Sequence, residues 1–371
     1  MAHYKMSDVA VEVNDRENNP ANSQYERFVG LEHYVSGEVI IRNYGSTQNL
    51  ESTMKIFQSG DVLVARRNVY LKRAATVDFD GLTSGDSIVL RAKNPLIGRI
   101  LPFILNTDAF WNFADQYSDG TMSKRLSPKI LMTYEFDLPS DEKLEEFADL
   151  LWAANDAREA YQELLSQTDE LVKSQFIEMF GDIANSPKYE CLELKKICRT
   201  LSGGTPTTKH PEYYCGDIPW VTTVQLGPNY IDGSNPKAFI TQEAIDSSAT
   251  HLIPAYNILF GTRVGVGKCS INTKPMCTNQ DINAILDINC HDWNLLFVKK
   301  VLDYYLPHFD TIKKGSTILG ITTDDLKKIA VPKAPKVKQD EFANLVQQID
   351  KSKYDEQKTS FSLLRGGELC A

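Results

Sequence analysis

The feature that most restricts the fold is a repeat at long range. Phe147-Ala-Asp-Leu-Leu151 is echoed 195 positions later by Phe342-Ala-Asn-Leu-Val346. The same offset of 195 relates Gly120-Thr121 to Gly315-Ser316, and the run SGDSIVL at Asp86 to NQDINAIL at Asp281. GDVLVARR, ending at Arg67, faces YNILFGTR, ending at Arg263, and a strand-like stretch closes on proline at both Pro139 and Pro332. Solenoid repeats have periods of about 20–50 residues. A much longer period, matched in the same order along the chain, indicates duplication of a whole domain plus a helix, with pseudo-twofold symmetry expected between the halves.

The helix of the first copy is legible by itself. Residues 141–181 hold no proline and no glycine before Gly181, and Leu144, Phe147, Leu151, Ala154, Tyr161, Leu165 and Val172 follow the alternating steps of a heptad seam. This predicts one helix over 141–180, with Pro139 and Ser140 as stop and cap. Its length suits a spacer or coiled-coil arm. The expected organisation is a first domain over 1–140, the central helix over 141–181, a second domain over 182–337 and a C-terminal helix over 338–371. Inside each half, short strands at 38–42, 61–65, 87–91, 218–224 and 257–261 and helical stretches at 97–117 and 292–309 give an α+β class.

The formal net charge of −9 argues against a nucleic-acid partner until it is located. Residues 141–181 alone carry 3 basic against 11 acidic side chains, whereas 1–140 carry 15 against 17 and 182–337 carry 17 against 15. The acidity is concentrated in the helix, so each domain can present a local basic face. No run reaches the about 18 apolar residues of a membrane span, and the start, MAHYKMSDVAVEV, lacks the pattern of a signal peptide. The expectation is a soluble, cytoplasmic protein with no membrane association. All seven cysteines follow residue 190, with no CxxC and no histidine at zinc-ligand spacing, and read as free thiols that serve packing.

Enzymatic motifs fail on inspection. A phosphate-binding loop anchored on Gly267-Lys268 needs glycine where Thr262 stands and Ser or Thr where Cys269 stands. Asp182 with Glu193 and Lys195 only loosely echoes a nuclease centre, and Asn94-Pro95-Leu96 departs from the Asn-Pro-Pro-aromatic loop of amino-methyltransferases at its third position. No metal site, catalytic residue or cofactor is expected. The loops are more purposeful. The first half offers Arg66, Arg67, Asn68, Tyr70, Lys72, Arg73, Lys124 and Arg125; the second offers Thr205, Thr207, Lys209, Thr222, Thr223, Gln225, Arg263, Lys268, Asn279 and Gln280. Arginine suits guanine edges, Asn and Gln suit adenine, and Thr, Ser and Lys suit phosphates. Each loop alone fits an ordinary surface; their recurrence at equivalent places points to a binding face used twice.

Taken together, Leu201-Ser-Gly-Gly204-Thr-Pro206, Asp217-Ile-Pro-Trp220-Val-Thr-Thr223, Gly261-Thr-Arg-Val-Gly-Val-Gly267 and Thr278-Asn-Gln280 resemble the target-recognition pattern of the specificity (S) subunits of type I restriction-modification enzymes. In the first half, Arg27-Phe-Val-Gly30-Leu-Glu-His33, Arg66-Arg67 with Tyr70-Leu71, Ser84-Gly-Asp86 and Gly120 are similar to another variant of that domain. The resemblance implies two target-recognition domains reading a bipartite double-stranded DNA target, joined by long helices that pair as an antiparallel coiled coil. It also implies two methyltransferase subunits as partners, restriction subunits as further candidates, and no catalysis by the chain itself. S-adenosylmethionine and ATP with Mg would belong to the partners. Two other readings stay open: a self-sufficient DNA methyltransferase or nuclease, and a coiled-coil scaffold unrelated to DNA.

Overall fold

A computed structural model describes residues 2–120, 123–315 and 319–368, with the backbone alone for Asp141 and for 354–368. Thr121 and Ser316 of the repeat, and positions 369–371 of the C-terminal helix, lie outside the described residues. The fold is mixed α+β, with several small sheets and two long helices. It divides into two compact units, residues 1–161 and 162–371, and the division falls inside the first long helix.

The first unit is built on the sheet β2-β5-β3-β4, made of β2 (Ala10–Val13), β3 (Val62–Ala65), β4 (Ala74–Thr76) and β5 (Ser87–Ala92). Strand β3 is apolar throughout because both of its faces are covered. Val62, Val64, Ile88 and Leu90 face helices α1 (Pro95–Ile104) and α2 (Asp108–Gln116), whereas Leu63, Ala65 and Val89 pack with Val29 and Phe57 of a second, five-stranded sheet. Asn94 caps α1 by accepting from the Leu96 amide (2.8 Å), and Thr107 caps α2. The Asn94-Pro95 pair is thus a helix start, with proline where a missing N–H costs nothing. The second cap also explains why the expected helical stretch over 97–117 is two helices. Strand β1 (Ala2–Lys5) pairs antiparallel with β6 (Glu135–Leu138), which leads into α3 (Asp141–Phe180).

The second unit repeats this plan. Its sheet β8-β11-β9-β10 consists of β8 (Arg199–Ser202), β9 (Ile258–Gly261), β10 (Cys269–Asn272) and β11 (Ile282–Leu286), extended at one edge by Tyr230–Ile231. Strand β7 (Cys191–Glu193) pairs with β12 (Ala330–Pro332) as β1 pairs with β6. Asn294 caps α4 (Leu295–Tyr304) as Asn94 caps α1, and Pro307 lies in the first turn of α5 (Leu306–Ile312). The correspondence reaches individual hydrogen bonds. Arg66 N donates to Asp86 O (2.9 Å) and Thr262 N to Asp281 O (2.8 Å); Leu126 N donates to Arg66 O and Ile321 N to Thr262 O, both at 2.8 Å. Arg125 and Asp119 exchange backbone bonds, as do Gly320 and Lys314.

Each end of α3 belongs to the unit it packs on. Leu144 and Ala148 are buried in the first core, Trp152 Nε1 donates to Arg99 O (3.0 Å), and Arg158 and Glu159 form ion pairs with Glu38 (2.7 Å) and Arg42 (2.5 Å). Those pairs draw 38–42 toward the helix, and in place of the expected strand only Ile40 bridges to Thr76. At the other end Phe176 and Phe180 enter the second core against Phe297 and Phe342. The last helix, α6 (Lys336–Glu368), runs opposite to α3: Phe342 meets Phe176, and one stretch further on Lys353 reaches Asp169 (2.7 Å). The strand expected over 218–224 ends at Val221, where Gln225 folds back on Thr222.

Cys269 and Cys277 are buried and Cys191 and Cys198 half-buried, but Cys215 and Cys290 are exposed and serve no packing. Burial pushes the Cys198 thiol up to about 12 and that of Cys277 to about 11, so both stay protonated and unreactive at neutral pH. Among the described residues there is no acid, cysteine or histidine cluster that could hold a metal, and no helix long and apolar enough to cross a membrane. Phe342 is fully buried between the two long helices. Phe342→Ala should therefore destabilise the second unit by about 3–5 kcal/mol, read as a lower urea midpoint, while leaving the first unit's transition in place.

Candidate nucleic-acid interface

The strongest recurring element outside the cores is an arginine paired with an aspartate at the end of a central strand. In the first unit the chain leaves β3 at Arg66-Arg67 and turns through Asn68 and Lys72, both in the left-handed region (φ 57° and 48°). Asparagine tolerates that conformation and lysine much less, so the turn is held by its contacts. Arg67 donates from Nε to Ser123 Oγ (3.2 Å) and stands 3.8 Å from Asp86, while Arg125 reaches the other oxygen of Asp86 at 2.7 Å. Ser123 donates in turn to the Asn68 side chain (3.0 Å). Two guanidinium groups, each about half exposed, thus share one carboxylate.

The second unit has one arginine at the corresponding place. Arg263 opens the turn between β9 and β10 and lies 3.9 Å from Asp281, whose carboxylate also accepts from Asn279 Nδ2 (3.0 Å). The glycines of this turn answer to backbone demands: Gly265 and Gly267 have φ of 70° and 85°, and a Cβ on Gly267 would stand 2.4 Å from the Leu306 side chain. That accounts for the glycine-rich run without a phosphate loop. Lys268 and Lys209 are exposed and form no ion pair among the described residues, and Thr205 donates to the Gln280 amide oxygen.

The remaining expected residues divide by burial. Tyr70 is 64% exposed in the same turn as Arg67, and Thr207 and Gln280 are exposed. Lys72 and Lys124 are drawn to Asp108 (2.6 Å) and Asp115 (2.7 Å) of α2. Such exposed surface pairs are weak and can be exchanged for a phosphate. Arg73 ties loops together, donating to Leu31 O (2.9 Å) and Arg67 O (3.1 Å), and Arg66 is half-buried, with its Nε enclosed. Thr222 and Gln225 bond to one another. Thr223 and Asn279, expected on the face, lie inside at 3% and 7% exposure. Asn279 is turned onto the Asp281 carboxylate, and both residues shape the loops from within. Ser123 and Lys314 were not anticipated, since the repeat sets Lys314 opposite Asp119, an acid that gives no hint of a basic contact.

This arrangement can be placed among known proteins. Residues 187–360 match the family described as the type I restriction modification DNA specificity domain. This stretch of the second unit is similar to that domain. Its sequence is 30% identical, over 174 residues, to the type I restriction enzyme MjaIX specificity subunit of Methanocaldococcus jannaschii, a match that covers 46% of this chain and 40% of that protein. The chain thus spans about two fifths of the length of the curated relatives it matches. The fold extends the likeness to both units. The type I restriction-modification S subunit from M. genitalium superposes with a TM-score of 0.55 at 12% identity, covering 98% of this chain and 92% of that one. A chain from a type I restriction-modification system, solved in a study of its complex assembly and conformational transition, gives 0.52 at 19% identity, covering 98% and 94%.

If the paired arginines meet phosphates, each contact removed should lower the slope of log K against log salt by about 0.9. We expect Arg67→Ala with Arg125→Ala to lower the slope more than Arg263→Ala alone, measured by fluorescence anisotropy on duplex DNA. Equal slopes in all proteins would remove these residues from the interface.

Proposed function

We propose that the chain is the DNA specificity subunit of a type I restriction-modification complex. In this reading each unit is a target-recognition domain for one part of a bipartite double-stranded DNA sequence. The observation that carries it is the duplicated arginine–aspartate element, built at the same place on the same sheet in two units and flanked each time by exposed polar loops. The opposed run of α3 and α6, fastened by Phe176, Phe180 and Phe342, supports an antiparallel coiled coil, and the repeated topology supports pseudo-twofold symmetry. The domain limits then follow the helices, with 1–140 and 182–337 reading DNA and 141–181 and 338–371 forming the spacer.

In this proposal methyl transfer and cleavage belong to partners: two methyltransferase subunits carrying S-adenosylmethionine, and restriction subunits using ATP and Mg. Docking ground is available on α3. Leu164 and Leu171, one heptad apart, are 44% and 48% exposed and lie beside Glu163 and Glu170. Leucines at that spacing on an acidic helix suit a partner helix with apolar and basic positions. Leu164→Lys with Leu171→Lys should abolish co-purification of methyltransferase subunits without lowering the chain's own melting temperature. Retention of the complex would exclude this stripe.

The deciding experiment incubates the purified chain with S-adenosylmethionine and duplex DNA, with and without methyltransferase subunits. Methylation at a defined two-part sequence should require both. Methylation or cutting by the chain alone would favour the self-sufficient enzyme instead, and salt-independent or absent DNA binding by the complex would favour a scaffold.

A further inference from the structure

The two units differ at the place where they should be most alike. Beside Arg263 the second unit opens a cleft of about 660 Å³, lined by Ser202, Gln280, Asn283, Lys314 and Thr323 among others. Its floor is Asn283, 3% exposed on β11 opposite Phe260. The equivalent residue of the first unit is Ile88, fully buried on β5 opposite Val64. A second exchange opens the mouth. Gly320 occupies the position of Arg125 in the shared backbone bridge, so the guanidinium that covers Asp86 in the first unit has no counterpart over Asp281. A Cβ at Gly320 would stand 2.8 Å from Thr262 O and 3.2 Å from Arg263 Cγ, so a side chain there would crowd the cleft.

A buried asparagine where the duplicate holds isoleucine costs stability unless it is bonded. Here it is bonded three times. Asn283 Oδ1 accepts from Ser202 (2.9 Å) and Thr323 (3.4 Å), and Nδ2 donates to Thr262 Oγ1 (3.3 Å). A primary amide has two N–H groups, so among the described residues one hydrogen stays uncommitted on an amide whose orientation is fixed. The Thr262 hydroxyl is itself committed to Asp281 O (3.1 Å). The cleft therefore combines a neutral floor of donors and acceptors with two cationic groups at the rim, Arg263 and Lys314.

We propose that this cleft binds one nucleotide, its phosphate against Arg263 and Lys314 and its base against the amides of Asn283 and Gln280. The volume lies within the about 300–1,000 Å³ of small-ligand sites, and a mixed floor suits a base edge better than a second phosphate, which would use donors only. The nucleotide is either one displaced from the bound duplex, at an unstacking cost of a few kcal/mol, or a free nucleotide. The first source rests on the proposed function, and the second does not. Ser202, Thr323 and Thr262 are positioning residues that hold the Asn283 amide.

The test has two arms. In the first, the assembled complex is titrated with target duplexes carrying an abasic nucleotide at each position of the part read by the second unit. One position should weaken wild-type binding about tenfold or more, and the same substitution should cost Asn283→Ile nothing further. In the second arm dAMP, dGMP, dCMP and dTMP are titrated by calorimetry into the full chain and into Lys314→Ala. A free-nucleotide site gives binding that Lys314→Ala weakens about tenfold. Ser202→Ala, which deletes one hydroxyl and little volume, should give a smaller loss in whichever arm responds, and it carries the test if Asn283→Ile fails to fold. The proposal is overturned if no abasic position depends on Asn283 or Ser202 and no mononucleotide binds. A wild-type complex without any defined target would instead count against the function proposed above, and the calorimetric arm is independent of that outcome.

Discussion

Phenylalanine packing at the end of α3 is the contact on which the architecture depends. Phe176 and Phe180 close the first long helix, Phe342 opens the second, and Phe297 of α4 ties both to the sheet of the second unit. A 40-residue helix with an acidic exterior has little stability of its own. Its ends must be anchored, and the anchor at this end is aromatic, with rings in edge-on, tilted and stacked contact. Such pairs are worth about 0.5–1.5 kcal/mol beyond the area they bury. The other end is held by Leu144 and Ala148 in the first core and by the ion pairs of Arg158 and Glu159.

The duplication, the long helix and the central strands were legible because each leaves a periodic or repeated trace. The heptad seam from Leu144 to Val172 is buried or half-buried along its length, and 61–65, 87–91 and 257–261 fall on real strands. The misreadings have local causes. Residues 38–42 alternate like a strand but answer to charges on α3, and both helical stretches break because caps and prolines inside them restart the helix.

The candidate face was legible in composition and opaque in burial. Thr223 and Asn279 resemble Thr205 and Gln280 in chemistry, yet two are enclosed and two exposed, because Thr223 packs beside Gly265 of the turn after β9 and Asn279 is bonded to Val221 O and the Asp281 carboxylate. Pairing was hidden as well. Nothing in the local sequence says that Lys72 and Lys124 are neutralised by α2, or that Arg67 and Arg125 converge on one carboxylate. The offset of the repeat carried that information for Arg263 and Asp281, since a charged pair preserved through duplication marks a contact.

Those aspartates have a kinetic consequence. A phosphate must compete with Asp86 or Asp281 for these guanidinium groups, and the competition is nearly neutral on an exposed surface. Random stretches of polyanion then gain little from touching these arginines, whereas a site that also satisfies the neighbouring amides and hydroxyls makes the exchange favourable. In the proposed function, where the chain searches long DNA, built-in competitors of this kind shorten unproductive residence.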